Sequence, residues 1–328
     1  MNYSTIEHMR IAVSNYCNLK CKHCYAFDCT REDLERCEKN QLTTAQIKEF
    51  IDMLIADFGL KKVSLTGGEP LAARVWPRTK EILEHCLEKD LNVQLNTSGS
   101  GEVGIDEIVT AAGQQKKNIL LHASLDGTSE DTVDSFRGCP GAYKRAIKTI
   151  TDAVRNRISV QVRYTLTCEN FDQAESCYEL VSQMGVESFM IKPIYLAGSA
   201  KGNKELVPDA DAIKRMQTRL IKMSKGNPTR LDLPRPVYAD LNNMPDKANI
   251  QIINCICGVK AGYITYDGNV YPCTYIAGAN DSEKYILGNL KDKSFDFAKA
   301  WNSPYAYTEY RSAPADVCTT YEILTRCR

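Results

Sequence analysis

The chain has 328 residues in which 41 lysines and arginines balance 41 aspartates and glutamates, so no global field draws it to nucleic acid or to an anionic membrane. No run of about 18 apolar residues exists, and Met1–Glu7 carry neither a basic start nor an apolar signal core. Those features exclude nucleic-acid and membrane partners and point to a soluble, cytoplasmic chain, long enough for one large domain or two ordinary ones.

From Met9 to about Tyr195, short β-rich runs alternate with helical periodicity. Strands are predicted at Arg10–Ser14, Lys62–Thr66, Val93–Thr97, Ile119–Leu125, Val160–Thr167 and Phe189–Tyr195. Ile47, Phe50, Ile51, Leu54 and Phe58 share one helix face, opened by a Thr43-x-x-Gln46 capping box and closed by Gly59. Tyr143, Ile147, Ile150 and Val154 form a second stripe, and Phe171, Ala174, Tyr178 and Val181 a third that stops at Gly185. Six βα units in succession imply parallel strands with right-handed crossovers, in an open doubly wound sheet or a partial barrel. A helix over Asp209–Ser224 precedes a proline-punctuated connector. Tyr263–Tyr266 and Val270–Tyr271 read as a hairpin around Asp267-Gly268, and Phe295–Tyr310 as a final helical stretch.

Fourteen cysteines without an export signal read as metal or catalytic sites rather than disulfides. Cys29, Cys37, Cys86, Cys139, Cys168 and Cys177 are scattered, each by default a small buried hydrophobe or an inert thiol. Cys17, Cys21 and Cys24 instead share the loop after the first strand, where α/β folds of this kind carry their chemistry. Three thiolates can wrap three corners of a cubic iron–sulfur cluster but cannot satisfy the fourth, which stays open to a ligand. A zinc knuckle or a two-cluster ferredoxin site is the alternative reading of the same thiols.

Cys-x3-Cys-x2-Cys in this place resembles the radical S-adenosylmethionine (radical SAM) superfamily, and further segments resemble it one by one. The resemblance implies a [4Fe-4S] cluster on Cys17, Cys21 and Cys24 whose open iron binds S-adenosylmethionine, and reductive cleavage to a 5′-deoxyadenosyl radical that abstracts hydrogen from carbon. It implies cofactor contacts from His23, in the ring-bearing position before Cys24, and from Gly67-Gly68-Glu69-Pro70, similar to the family's GGE motif. Asn96 faces the same mouth, and Ser124 and Asp126 match positions that meet ribose hydroxyls. Arg163 matches a position that often holds the methionine carboxylate, while Ile191 and Pro193, within "IKPIYLAGSA", match the segment against adenine. The implied fold is a partial (β/α)6 TIM-like barrel over 1–200, a helical connector over 201–250 and an iron–sulfur module over 251–328.

That module holds Cys255, Cys257, Cys273, Cys318 and Cys327, and Cys257 to Cys273 resembles the Cys-x(9–15)-Gly-x4-Cys opening of SPASM and twitch extensions. The tail from Cys318 to Cys327 keeps SPASM spacing but has Tyr321 at the second thiol position, so one auxiliary iron–sulfur cluster is expected. Five thiols compete for four corners; a spare one, or Cys168 after the fifth strand, is a candidate hydrogen donor. Sulfatase-maturase activity is disfavoured because Thr274, not aspartate, follows Cys273. The resemblance implies oxidative cross-linking or epimerisation of a ribosomally made peptide. An aminocyclitol or sugar dehydrogenase or epimerase is the alternative, and a non-catalytic zinc or iron–sulfur scaffold the alternative from another class. Expected partners are a peptide or small natural-product substrate and an external one-electron reductant such as flavodoxin or ferredoxin.

Overall fold

A computed structural model describes residues 5–26 and 39–326; the expected ligand Cys327, together with Cys29 and Cys37, lies outside the described residues. The six expected strands form as β1 (His8–Ser14), β2 (Lys62–Gly67), β3 (Asn92–Thr97), β4 (Ile119–Ser124), β5 (Ser159–Leu166) and β6 (Ser188–Pro193). Helices α1 (Thr44–Phe58), α2 (Trp76–Glu88), α3 (Ile105–Ala112), α4 (Glu130–Arg137), α5 (Ala142–Arg155) and α6 (Ala174–Gln183) lie between them in sequence. The remainder comprises α7 (Ala210–Met223), β7 (Arg230–Pro234), β8 (Ile250–Ile253), β9 (Ala261–Ile264), β10 (Val270–Tyr271), α8 (Phe297–Asn302), α9 (Thr308–Ser312) and α10 (Thr319–Arg326).

One ten-stranded sheet runs in the order β10-β9-β1-β2-β3-β4-β5-β6-β7-β8, and every neighbouring pair is parallel except β9 with β10. Its edges β10 and β8 do not pair, so the sheet is an open barrel of the expected α/β kind. Residues 201–250, expected as a helical connector, also supply β7, and β8 runs from their last residue into the expected iron–sulfur module; Pro228, Pro234, Pro236 and Pro245, in and around these strands, conceal them from a propensity reading. The expected hairpin is present, with β9 laid parallel against β1, so the cysteine-bearing C-terminal segment continues the barrel sheet.

Local chemistry accounts for the helices. Thr43 Oγ1 accepts from Gln46 N at 3.1 Å, Gln46 Oε1 accepts from Thr43 N at 2.9 Å, and Gly59 ends α1 in the left-handed region at φ 67°. The buried face of α1 is Ile47, Phe50, Ile51, Leu54 and Phe58, as the stripe predicts. α5 differs: Ala142, Ala146, Ile150 and Ala153 are buried, while Tyr143, Ile147 and Val154 flank them. Small residues bring this helix close against the segment after β3, where Thr149 Oγ1 donates to Gly99 O at 2.9 Å. The final helical stretch is two short helices interrupted at Pro304, which has no N–H to continue the ladder. Phe297 of α8 packs edge-on to Phe50 and Phe58 of α1, with ring centroids 4.9 and 5.6 Å away. Burying such a side chain contributes about 1.5–3 kcal/mol, and this contact ties the C-terminal segment to the barrel.

Strand alternation divides the sheet into two faces. Met9, Ile11, Val63, Leu65, Val93, Leu95, Leu121, Val162 and Ile191 point into the apolar core. Opposite them, in register, stand Arg10 with Ser64 and Gln94, Asn96 with His122, Gln161 and Ser188, and Ser124 with Arg163. Among the described residues, no helix is long and apolar enough to cross a membrane.

Candidate functional site

All six barrel strands point the same way, so the segments after their C-terminal ends converge on one mouth. Residues 15–26 after β1 carry Cys17, Cys21 and Cys24, three partly exposed thiols without disulfides. Neighbouring segments clamp this loop. Glu69 N donates to Tyr16 O at 2.8 Å, Asn18 Nδ2 to Ser100 O at 2.8 Å, Lys20 N to Arg137 O at 3.1 Å, and Ser199 N to Cys24 O at 2.8 Å. The segments after β2, β3 and β6, and the end of α4, thereby fix a backbone that has no secondary structure of its own.

Gly67 and Gly68 serve this clamp. A Cβ on Gly68 would lie 1.8 Å from Tyr16 O, and one on Gly67, at φ 118°, 2.3 Å from Ser14 O. Neither position admits a side chain because the cysteine loop lies against it. Glu69, only 1 % exposed, accepts from Leu71 N at 3.0 Å, Thr97 Oγ1 at 2.7 Å, and Ser98 N and Oγ at 2.8 and 2.5 Å. Its carboxylate joins the end of β2 to the end of β3, with Pro70 buried beside it.

Asp126, expected at the ribose, is fully buried; one oxygen accepts from Thr165 N at 2.8 Å and the other pairs with Arg137 Nη2. Arg137, which sequence reasoning missed, also donates through Nη1 to Cys21 Sγ at 3.7 Å, while its Nε has no partner. Burial alone would lower the guanidinium's pKa, but Asp126 and Cys21 more than reverse that. His23 stacks on Phe136 with ring centroids 4.5 Å apart, and its enclosed Nδ1 has no partner. Burial, then the Arg137 charge, lowers His23 to about 3, which keeps the imidazole neutral. Burial raises the Cys17 and Cys21 thiols above the ordinary range, with Glu69 adding to the rise at Cys17 and Arg137 opposing it at Cys21.

The polar face below the mouth is rich in cations. Asn96 Oδ1 accepts from His122 Nδ1 at 2.7 Å, half-buried Ser124 stands in register with Arg163, and Arg163 Nε donates to Gln161 Oε1 at 3.2 Å. Burial, then the charge of Arg10, lowers Arg163 to about 10. Among the described residues neither Arg163 nor Lys192 forms an ion pair with a carboxylate. Lys192 Nζ lies 4.3 Å above the Tyr275 ring and 5.6 Å above Tyr195; burial, then Arg163, lowers it to about 7. Ile191 packs into the apolar core and Pro193 is buried at the strand end, so in this segment Lys192 is the residue that faces the mouth. Cys168 is exposed beyond β5, its N–H held by Leu206 O at 2.9 Å.

Four of the five C-terminal thiols come together: Cys318 contacts Cys255, Cys255 contacts Cys257, and Cys257 contacts Cys273. These contacts form a chain of sulfurs, and among the described residues no three His, Cys, Asp or Glu side chains are arranged to hold a single metal ion. Arg10 Nη1 donates to Cys257 Sγ at 3.7 Å, and the Tyr195 hydroxyl lies 3.4 Å from Cys318 Sγ. Hydrogen bonds from Cys255 and Cys273, backed by Arg10, pull Cys257 well below the ordinary thiol range. Tyr321, in the second thiol position, is buried edge-on to Tyr195 at 5.5 Å and hydrogen-bonds with the Tyr238 hydroxyl at 3.2 Å.

Tyrosines connect the two thiol sets. Tyr25, next to Cys24, meets Tyr275 edge-on at 5.3 Å; Tyr275 stacks on Tyr195 at 4.1 Å; and Tyr195 touches Cys318. The donor chemistry fits iron–sulfur clusters at both places: a loop with three uncrosslinked thiols beside an unpartnered imidazole nitrogen, and a chain of four contacting thiols next to a guanidinium without a carboxylate partner among the described residues.

Comparison with known proteins agrees with this arrangement. A model of the radical SAM superfamily matches residues 11–181, and a model of the SPASM iron–sulfur cluster-binding domain matches residues 255–328. An AdoMet-dependent heme synthase of Methanosarcina barkeri strain Fusaro is 25% identical over 330 residues, covering 95% of this chain and 88% of that protein. The antilisterial bacteriocin subtilosin biosynthesis protein AlbA of Bacillus subtilis strain 168 is 26% identical over 300 residues, covering 92% and 60%. Among solved structures, Streptococcus suis SuiB bound to its precursor peptide SuiA has a TM-score of 0.69 at 16% identity, covering 94% of this chain and 67% of that one. The chain belongs to the radical SAM superfamily: it is an enzyme with a SPASM domain, using a [4Fe-4S] cluster, S-adenosylmethionine and auxiliary iron–sulfur chemistry.

Proposed function

We propose that the enzyme abstracts hydrogen from a carbon of a ribosomally made peptide and cross-links or epimerises it. The observation that carries this reading is that Tyr25, Tyr275 and Tyr195 form a continuous run of ring contacts from the segment of Cys24 to Cys318, which brings both thiol sets to one site. Bound cluster and S-adenosylmethionine supply a 5′-deoxyadenosyl radical. The chain's own residues orient and shield: Gly67 and Gly68 admit the cysteine loop, Arg137 and Asp126 hold Cys21, and Cys255, Cys257, Cys273 and Cys318 hold the auxiliary cluster. Asn96, Ser124 and Arg163 face the mouth as candidate cofactor contacts, and His23 contributes its neutral ring. The likeness to AlbA, a bacteriocin biosynthesis protein, and the fold shared with peptide-bound SuiB support a peptide substrate. Flavodoxin or ferredoxin is the proposed electron donor. The reading is tested by incubating reduced enzyme and S-adenosylmethionine with candidate precursor peptides in deuterated water. A loss of two hydrogens or gain of one deuterium is expected; unchanged peptides in every case count against it.

A tetrapyrrole substrate is the second reading. It is favoured by the likeness to a heme synthase across 95% of the chain and by the cations Arg10, Lys62, Arg163 and Lys192, none of them in an ion pair among the described residues, which suit a ligand bearing several carboxylates. Binding of iron coproporphyrin, followed by its absorption spectrum, separates the two.

A further inference from the structure

Each thiol set has a guanidinium on one sulfur, a feature absent from either cysteine motif. Arg137 donates to Cys21 and Arg10 to Cys257, both at 3.7 Å. What balances the two charges differs. Arg137 is paired with buried Asp126. Arg10, half-buried in the middle of β1, has no carboxylate partner among the described residues, and Lys62 and Arg163 add further positive charge around it. The sulfurs beside Arg10 are that of Cys257, which accepts from its Nη1, and those of Cys255 and Cys273, which contact Cys257. A guanidinium keeps its proton in that setting, so it places a permanent positive charge and an N–H donor on the Cys257 sulfur.

Four thiolates around a [4Fe-4S] core carry net negative charge, which grows by one when an electron enters. A fixed positive charge and an N–H donor on a ligand sulfur therefore favour the reduced form over the oxidised one. We propose that Arg10 is a potential-setting residue for the auxiliary cluster, raising its reduction potential through Cys257, with the Tyr195 hydroxyl acting in the same sense on Cys318. The proposal rests on reading Cys255, Cys257, Cys273 and Cys318 as cluster ligands. The step is a one-electron reduction by dithionite or an external reductant, with no bond formed or broken. Arg137 has a smaller net influence on the catalytic cluster because Asp126 cancels its charge. Register explains why a strand of the barrel supplies the residue: β9 lays Tyr263 opposite Arg10, which puts the C-terminal thiols within reach of β1.

The test uses the full-length protein carrying C17A, C21A and C24A, so that the auxiliary cluster is the one remaining, reconstituted anaerobically with iron and sulfide. Its midpoint is read by dithionite titration with electron paramagnetic resonance in the parent, Arg10→Gln and Tyr195→Phe. In Arg10→Gln the equilibrium constant for reduction should fall at least tenfold, a 59 mV lowering for a one-electron couple. Tyr195→Phe, which removes one atom and keeps the ring packing, should lower it by less. A midpoint in Arg10→Gln protein of full iron content that is unmoved or raised overturns the Arg10 assignment alone. If Arg10→Gln fails to hold the cluster, Tyr195→Phe decides, and no downward shift there overturns the proposal. A parent that holds no iron overturns the ligand reading first, and the proposal with it.

Discussion

Asp126→Asn is the perturbation whose cost is best defined. Asp126 is fully buried and Arg137 is 6% exposed, and they are each other's counter-charge. Asparagine keeps an acceptor for Thr165 N but leaves Arg137 with a neutral partner, an unpartnered Nε and a long contact to Cys21. Breaking a buried ion pair from one side costs about 3–5 kcal/mol, because the remaining charge is stranded. Arg137→Met strands the carboxylate instead and should cost a similar amount. Because both single variants suffer from the same missing partner, the double variant should recover at least about 2 kcal/mol relative to the sum of the two. The assay is urea unfolding of the metal-free, reduced protein, with midpoints compared at unchanged m-value. A single-variant loss below about 1 kcal/mol, or strict additivity in the double variant, would refute the claim that this pair is a buried, mutually dependent anchor for the cysteine loop.

Three further outcomes follow from the same geometry. Gly68→Ala places a Cβ 1.8 Å from Tyr16 O, so the loop must shift at a cost of about 3 kcal/mol or more, with loss of iron from the first thiol set, whereas Gly202→Ala meets nothing within 4 Å and should be neutral within about 0.5 kcal/mol; iron content and urea midpoints check both. Burial holds His8 and His122 neutral in the fold, well below their ordinary pKa. The unfolded chain therefore binds more protons below about pH 6.5, stability falls as pH drops through that range, and His122→Asn should flatten the slope of the urea midpoint between pH 6.5 and 5. Burial and Arg163 lower Lys192 to about 7, so its charged form costs stability in full below pH 7, and that cost vanishes as pH rises toward the unfolded value. Lys192→Met should exceed the wild type by roughly 2–4 kcal/mol at pH 6, with a difference that narrows by pH 9.5, as urea midpoints at the two pH values will report.

What could be read from the sequence was local. The α1 capping box and the six apolar strands are each set by residues close in sequence and formed as expected, and the Cys17-x3-Cys21-x2-Cys24 segment follows β1 where sequence placed it. The α5 stripe was displaced because alanines, weak in a hydrophobicity count, are what bring a helix close to a sheet. β7 and β8 were concealed because prolines mask short parallel strands whose place is set by their neighbours. At the site, Glu69 and Asp126 were legible as polar groups after strands, but not their donors: Ser98 on the next strand's loop, and Arg137 on the far end of α4. The signal that could have suggested Arg137 is "FRG", an arginine at a helix end just before a left-handed glycine, in the unit that follows the fourth strand. At the C-terminus the resemblance named Cys255, Cys257, Cys273 and Cys318 within one module, but not the contact of Cys318 with Cys255, which tertiary folding rather than spacing makes.

Two separate thiol sets are proposed to hold two clusters, and iron content after anaerobic reconstitution tests this most directly. Wild type should carry about eight irons per chain, the C17A/C21A/C24A protein about four, and a protein lacking Cys255, Cys257, Cys273 and Cys318 about four. Equal iron in all three proteins, or zinc in place of iron, would contradict it.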